Sequence, residues 1–427
     1  AGSPHFKIVR FKWWEHVTPV NFDARQWVKA YKAAGMTGLL LTCKHHEGFC
    51  LWPSKYTEFS VKNSPWKDGK GDIVKEVSEA CREEGLKFGV YLSPWDVHEE
   101  TYGTPAYNDY FCNQLTELCS NYGELFCVWF DGACRTADKV QGYDWDRYYS
   151  LIRKLQPNAC ISICGPDVRW IGNEAGESRE EEWSVVPKSI MVTERNPGYW
   201  RQLDTMPNST WKDIGSRDFI KDYDELIWYP AEVDVSIRPS WGYVEGEEKQ
   251  LYSLETLLYM YEKAVGGNAT LLLNVPPNKE GLFDLEDVER LAELGKAIRG
   301  LFSRPQTTGA KAFQKNGSNA EAILDADRTH FVELAGECQE IEIQLQGEHT
   351  IDFIVLKETI EKGQRVEKFA VDIWREDQWK EVYQATTIGY QRFGRIEPVQ
   401  TERVRVRILE SRGTVYLTEI GLYHTEK

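Results

Sequence analysis

Carboxylates, imidazoles and indoles gather at the ends of apolar segments in this chain, where general acid/base or nucleophilic chemistry would have its groups held firmly. One apolar segment ends in Thr42-Cys43-Lys44-His45-His46-Glu47-Gly48-Phe49, another in Pro94-Trp95-Asp96, and a third in Val128-Trp129-Phe130-Asp131-Gly132. A fourth leads into Gly165-Pro166-Asp167-Val168-Arg169-Trp170 and Asn173-Glu174-Ala175-Gly176-Glu177, and a later one carries Trp228-Tyr229-Pro230-Ala231-Glu232-Val233-Asp234. Asp131 follows an apolar run, with Trp129 two residues before it and Gly132 directly after, which suits a nucleophilic carboxylate. The same placement suits a helix N-cap or a loop anchor, and only the company of the other polar ends favours chemistry.

A carboxylate nucleophile needs a second carboxyl as acid and base. Glu174, Glu177 and Glu232 are the candidates. Glu174 lies near Trp170, Asn173 and Gly176, a setting able to raise a carboxyl pKa by desolvation. Glu177 heads the charged run Glu177 to Glu182, which reads as a solvated face. Glu232 follows Pro230 closely and suits either a hydroxyl ligand or a salt bridge with Arg238. His45 and His46 are consecutive, and neighbours on a strand point to opposite faces, so hydroxyl recognition is preferred to a shared metal unless the strand has ended. No phosphate-binding Gly-x-x-x-x-Gly-Lys-Ser/Thr loop and no Gly-x-Ser-x-Gly elbow occurs.

The elements that must position these groups alternate helix and strand. Helices are expected over 24–34, 72–84, 110–122, 145–155 and 254–265, and strands over 36–42, 86–93, 124–130, 159–164, 226–229, 233–237 and 269–275. Gly35, Gly85 and Gly123 each stand between a helix and the next strand. Repeated units of this kind predict a parallel sheet closed as an α/β (β/α)8-like TIM barrel over residues 1–302, irregular at its first strand, for which Phe6 to Phe11 is a weak match. An open doubly wound sheet is the alternative, but no Gly-x-Gly-x-x-Gly follows a strand. After a linker at 303–309, short runs of period-two alternation predict an antiparallel β-sandwich over 303–427.

Composition narrows the ligand. The 427 residues carry a net charge of −16, which argues against nucleic acid or an anionic membrane surface as partner. No apolar run is long enough to span a bilayer. Sixteen Trp and 21 Tyr suit a cleft whose flat faces stack on the apolar side of a sugar ring, though a large core would use many of them too. Cys43, Cys127, Cys160 and Cys164 fall in apolar segments and are expected as small core hydrophobes, with no Cys-x-x-Cys pair for zinc or redox chemistry. No leader is visible in the chain, and a secreted or periplasmic location is the expectation.

At these residues the chain resembles glycoside hydrolase family 29, the α-L-fucosidases. The resemblance is carried by Leu41 to Lys55, Val61 to Trp95, Val128 to Gly132, Asp167 to Gly176, Tyr229 to Trp241 and Leu271 to Pro277. It implies a retaining double displacement without metal or organic cofactor, acting on fucosylated oligosaccharides or glycoconjugates. Asp131 would be the nucleophile. The Gly-Asn-Glu-Ala-Gly stretch resembles that of the subgroup acting on α-1,3/1,4-linked fucose of Lewis-type glycans, which makes Glu174 the acid/base. His45, His46, Trp52 and Trp129 would line the fucose pocket, and Trp170, Glu232, Arg238 and Trp241 would add contacts to substrate. The last 125 or so residues resemble a discoidin-like module through Gly363-Gln364-Arg365-Val366 and Thr387-Ile388-Gly389-Tyr390, and carbohydrate binding is its expected role. The family's first-strand motif, with a sugar-binding His, is replaced here by Phe11-Lys12-Trp13-Trp14-Glu15-His16, leaving His5 or His16 as substitutes. That departure motivates a rival reading, a catalytically weak carbohydrate-binding protein on the same scaffold. A third reading is a retaining glycosidase for another sugar.

Overall fold

The computed structural model describes residues 19–132, 140–195, 205–325, 327–336 and 339–425. The expected first strand, Phe6 to Phe11, and both His5 and His16 lie outside the described residues. The chain divides into two compact units, one of Ala1–Lys32, Met36–Cys164 and Pro276–Leu285, the other of Ala33–Gly35, Gly165–Val275 and Glu286–Lys427.

The first unit is helix and parallel sheet in alternation: α1 (Ala24–Ala34), β1 (Gly38–Lys44), α2 (Ile73–Glu84), β2 (Lys87–Leu92), α3 (Ala106–Asn121), β3 (Cys127–Phe130), α4 (Trp145–Leu155) and β4 (Cys160–Ile163). The strands pair in the order β1-β2-β3-β4, all parallel. Five of the six residues of β2 and all four of β3 are buried, as the unbroken apolar runs require of strands covered on both faces. Asp72 caps α2 by accepting from the Lys75 N–H, and Gly85 closes it at φ 74°, where a side chain would be strained. Helix α3 starts four residues earlier than the apolar pattern suggests, directly after Pro105. Cys160, expected in the core, is exposed because it opens β4, whose other three residues are buried.

The second unit holds β5 (Arg169–Trp170), β6 (Val185–Pro187), α5 (Lys188–Glu194), α6 (Arg217–Ile220), β7 (Leu226–Trp228), β8 (Ala231–Ser236), α7 (Leu254–Val265), β9 (Ala269–Asn274) and α8 (Leu285–Leu301). Strands β5, β8 and β9 form a second parallel sheet. The segment 226–229, expected in a parallel sheet, instead forms an antiparallel pair of β6 and β7. Leu226 and Trp228 are exposed, so β7 has no second covered face for a buried parallel sheet.

The same unit continues into β10 (Lys311–Gln314), β11 (Val332–Leu334), β12 (Glu340–Glu358), β13 (Val366–Arg375), β14 (Gln378–Ala385), β15 (Arg392–Ser411) and β16 (Val415–Tyr423). They make one antiparallel sheet in the order β11-β16-β12-β15-β13-β14, with β10 on β12. Register shifts between Gln344 and His349 and between Ile351 and Phe353 bend the long β12, so its first half pairs with β10 and its second with β16. Its apolar face encloses a core that includes Ile341, Ile343, Phe369, Val371, Val406 and Leu417. A second cluster of Phe353, Val355, Phe393 and Leu301 packs against Tyr261 and Val265 of α7, which explains why sheet and helices form one unit. Burial of each such aromatic side chain stabilises by about 1.5–3 kcal/mol. Among the described residues no helix is long and apolar enough to cross a membrane.

Candidate active site

The first unit gathers polar groups where β1, β2 and β3 end. Tyr91 is paired in register with Thr42 of β1 and Trp129 of β3, so the Tyr91 and Trp129 rings stand side by side, stacked with centroids 5.0 Å apart. Two residues beyond Trp129, the Asp131 carboxylate accepts a 2.7 Å hydrogen bond from the Tyr91 hydroxyl. His45 and His46 follow the last residue of β1, so the alternation of a strand no longer separates them and their rings lie 4.0 Å apart. His46 Nε2 is 3.8 Å from Asp131 Oδ2, and its ring lies 4.8 Å from that of Trp95.

The hydrogen-bond network assigns the His46 tautomer. The Ser93 hydroxyl donates to the Trp95 carbonyl at 2.7 Å, so toward His46 Nδ1, also 2.7 Å away, it accepts. The proton therefore sits on Nδ1, and Nε2 presents a lone pair toward a carboxylate oxygen. Burial, aided by the charge of His45 and of Lys44, pushes the His46 pKa down to about 4 against the pull of Asp131, keeping the ring neutral at pH 7. Two acceptors thus face each other across 3.8 Å, so a bound hydroxyl would donate to one of them while a cation would be held by both. His45 differs. Burial opposes its charge, but the 3.1 Å hydrogen bond to Glu47, with the charges of Glu47 and Asp131, raises its pKa.

Beneath this cluster lies a buried ion pair. Lys44 Nζ donates to Asp96 Oδ2 and Gln114 Oε1, each at 2.9 Å, with both charged side chains fully buried. The other Asp96 oxygen accepts from the His98 and Glu99 N–H groups at 3.0 and 2.9 Å, so one carboxylate ties together the segments that follow β1 and β2. Gly48 closes the histidine turn at φ 90°, its N–H donating to the His45 carbonyl, and a Cβ there would fall 2.4 Å from Asp96 Oδ1. Only glycine fits both conditions.

The second unit gathers its own set around β5 and β8. Trp170 is in register with Glu232, and its indole N–H donates to Asp234 Oδ1 at 2.6 Å. Burial pushes the Asp234 pKa up to about 7, with the charges of Glu174 and Glu232 adding to the rise and the Trp170 hydrogen bond opposing it. The Trp241 indole, itself exposed, donates to Glu174 Oε2 at 3.1 Å, and Asn274 at the end of β9 holds the Trp241 carbonyl at 2.9 Å. Gly176 keeps φ 81°, and a Cβ there would strike Met260.

Several expectations change. Glu174 is exposed where enclosure was expected, and on the same side of this unit Asp234 is a carboxyl that burial does raise. Glu182, in the run read as a solvated face, is buried between Arg169 and Arg179 because two guanidinium groups neutralise it. Trp52 and Arg238 are 1% exposed: the Trp52 indole donates to Glu117 at 2.8 Å, and Arg238 forms a two-pronged pair with Asp287. Glu177 is exposed and accepts from the Tyr259 hydroxyl. His45, His46, Trp129 and Asp131 come together in one unit; Trp170, Glu174, Glu232 and Trp241 lie in the other. Sequence reasoning does not single out Tyr91 or Asp234 as functional. Tyr91 stands two residues before Ser93 at the end of a strand, and that parity is its only signal.

The sequence model of the family described as Alpha-L-fucosidase matches residues 5–299. The chain belongs to the α-L-fucosidase family. It is thus an α-L-fucosidase, a glycoside hydrolase that releases fucose. Alpha-L-fucosidase 1 of Arabidopsis thaliana is 35% identical over 422 residues, covering 95% of this chain and 79% of that protein. A crystal structure of a putative α-L-fucosidase from Bacteroides ovatus, 42% identical, superposes with a TM-score of 0.85 over 96% of this chain and 68% of that one. A Ruminococcus gnavus family 29 fucosidase, solved in complex with fucose, is 29% identical with a TM-score of 0.84, covering 99% and 89%. In this fucosidase His45, His46 and Asp131 each offer a ligand atom within 4.8 Å of the others, so the same three groups that suit hydroxyls would also suit a cation.

Proposed function

We propose that this fucosidase works by retaining double displacement, with Asp131 as nucleophile and Glu174 as acid/base, on α-1,3/1,4-linked fucose of Lewis-type glycans. The observation that carries the reading is the state of Asp131. Its carboxylate accepts from Tyr91 at 2.7 Å and faces the neutral Nε2 of His46, so a neutral donor orients it while a neutral ring stands beside its Oδ2. Asp131 attacks the anomeric carbon as Glu174 protonates the departing oxygen; Glu174 then removes a proton from water, which hydrolyses the fucosyl ester. Retention requires the two carboxyls about 5–5.5 Å apart. The gap between His46 Nε2 and Asp131 receives a sugar hydroxyl, and His45 and Trp129 flank it.

On the leaving-group side, Trp170 and Trp241 offer flat faces beside Glu174 and Glu232. Trp52, anchored on Glu117, and Arg238, anchored on Asp287, stiffen the walls of their own units. A fucose complex of a relative similar over nearly the whole chain supports a fucoside as the ligand. The reading of residues up to 302 as a (β/α)8 barrel is supported by the helices that link the four parallel strands of one sheet to one another, and β5 to β8 and β8 to β9 in the other. The remainder, 303–427, fits a discoidin-like sandwich with glycans as its ligand class.

Free L-fucose release from a Lewis-type trisaccharide and from an aryl α-L-fucoside tests substrate and linkage together, and proton NMR of the first-formed anomer tests retention. Trisaccharide preference with the α-anomer formed first is expected; the β-anomer first would overturn the double displacement. Asp131→Ala should abolish turnover while the folded circular-dichroism spectrum persists, and undiminished turnover in that variant would remove Asp131 from the mechanism. Turnover unchanged by a chelator separates hydroxyl recognition from a metal held by the same three side chains.

A further inference from the structure

The loop that carries Glu174 leaves β5 at Trp170 and returns along residues 178–184, and side chains from turns that connect the strands of the C-terminal sheet, with Arg392 at the start of β15, hold that return limb by its backbone. Gln364, 4% exposed, accepts from the Ser184 N–H and donates to the Glu182 carbonyl, each at 2.9 Å, which is what a neighbouring β-strand would do. Thr386 and Arg392 both donate to the Glu180 carbonyl, at 2.7 and 2.8 Å. Asn268 donates to the Glu182 carbonyl at 3.0 Å and accepts from the Tyr390 N–H at 2.7 Å. The turn bearing Gly389 passes so close that a Cβ there would lie 2.3 Å from Asn268 Oδ1.

One buried carboxylate braces the two turns behind these contacts. Glu358 accepts from the Arg365 and Val366 N–H groups with one oxygen and from the Gly389 N–H with the other, at 2.7, 3.0 and 2.7 Å. The return limb is in turn fastened to the outgoing one. The Glu182 carboxylate is buried against Arg169 of β5 and Arg179, and Arg169 also donates to the Trp183 and Tyr229 carbonyls at 3.0 Å. The intervening residues 173–175 are partly or fully exposed, so beside the Trp241 contact on Glu174 and the packing of Gly176 on Met260 it is the two ends of the loop that hold it.

We propose that the C-terminal sheet is a positioning element of the catalytic machinery, with Gln364 and Thr386 as positioning residues that fix the loop from which Glu174 works. This rests on the reading of Glu174 as acid/base. The turns through which the chain resembles a discoidin-like module are the ones engaged here. Loss of position in an acid/base group weakens protonation of the leaving oxygen, which matters most for a poor leaving group.

The test uses the full chain and a series of aryl α-L-fucosides whose phenols span a wide acidity range. Gln364→Ala is expected to lose about tenfold in kcat/KM on the least acidic phenol and less than about twofold on the most acidic, the size of one or two lost hydrogen bonds. Thr386→Val should show a smaller loss of the same kind, and Thr386→Ser should restore it. Glu174→Gln is run alongside. A leaving-group dependence in Glu174→Gln that is absent from both Gln364→Ala and Thr386→Val overturns the positioning role alone. Equal losses across the series in those two variants would mark a merely structural contact and overturn it as well. If Glu174→Gln itself shows no leaving-group dependence, the acid/base reading fails and the inference with it. Should Gln364→Ala not fold, the Thr386 pair decides.

Discussion

Replacing Asp234 by an asparagine isolates the cost of a buried charge beside the Glu174 loop. The amide keeps an oxygen to accept the Trp170 indole N–H, so the hydrogen bond at 2.6 Å survives in kind. The charge does not. In the folded enzyme burial, with the charges of Glu174 and Glu232, raises the Asp234 pKa from 3.8 to about 7. A carboxyl raised on folding binds its proton more tightly in the folded state, so wild-type stability falls as pH rises from the unfolded pKa to the folded one. Below about pH 4 both states are protonated and no cost is present; above about pH 7 it is complete. At about 1.4 kcal/mol per tenfold change, this span gives a ceiling of roughly 4 kcal/mol, reduced by any relaxation of the site. The amide of the Asp234→Asn variant cannot ionise and escapes that cost.

The assay is thermal unfolding of both proteins at a series of pH values from about 4.5 to 8.5, roughly spanning the titration. The variant's Tm minus that of wild type should climb through this range and level off above about pH 7 to 8, by several degrees for a chain of this size. A difference that stays flat, or that falls with pH, would refute the assignment of a buried, proton-binding carboxyl at this position.

Tyr91→Phe removes the hydroxyl that donates to Asp131 Oδ2 without changing ring size, and kcat/KM should fall about tenfold to a hundredfold, the range for a hydrogen bond to a charged acceptor. A near-wild-type rate would show that Asp131 needs no such support. Lys44→Met leaves the fully buried Asp96 carboxylate without its ammonium partner and should cost about 3–5 kcal/mol, read by chemical denaturation, with Asp96→Asn in the same chain recovering part of it. Additive losses in that double variant would contradict the pair. Gly48→Ala meets both a positive φ and a Cβ 2.4 Å from Asp96 Oδ1, so it should lower stability by about 1–3 kcal/mol and activity with it, measured by melting and by fucose release. Wild-type values for both would mean the histidine turn tolerates a side chain.

What is legible in the chain is the succession of elements and the chemistry at their ends. Helices such as 254–265 and the buried strands of the first unit follow from local periodicity and from glycine stops, which depend on neighbours in sequence. The residue types at strand ends, His45, His46, Trp129 and Asp131, are visible for the same reason. Burial is not legible. Glu174 reads as enclosed between tryptophan and glycine yet is exposed, while Glu182 reads as solvated yet is buried, because burial is decided by what other segments bring against a residue. Asp234 gains its raised pKa from burial and from carboxylates 2 and 60 positions away in sequence, and Tyr91 finds Asp131 only because β2 and β3 pair in one register.

The sequence by itself determined that alternating helices and strands would present acidic and aromatic groups at strand ends, and that six stretches resembling the family's were in place while its first-strand motif was not. Tertiary structure alone decided which nitrogen of His46 holds the proton, that Asp234 loses its water, and which turns hold the Glu174 loop. The reason is that hydrogen-bond partners and solvent exclusion arise between residues far apart in the chain, whereas periodicity and turn chemistry are set within a few residues.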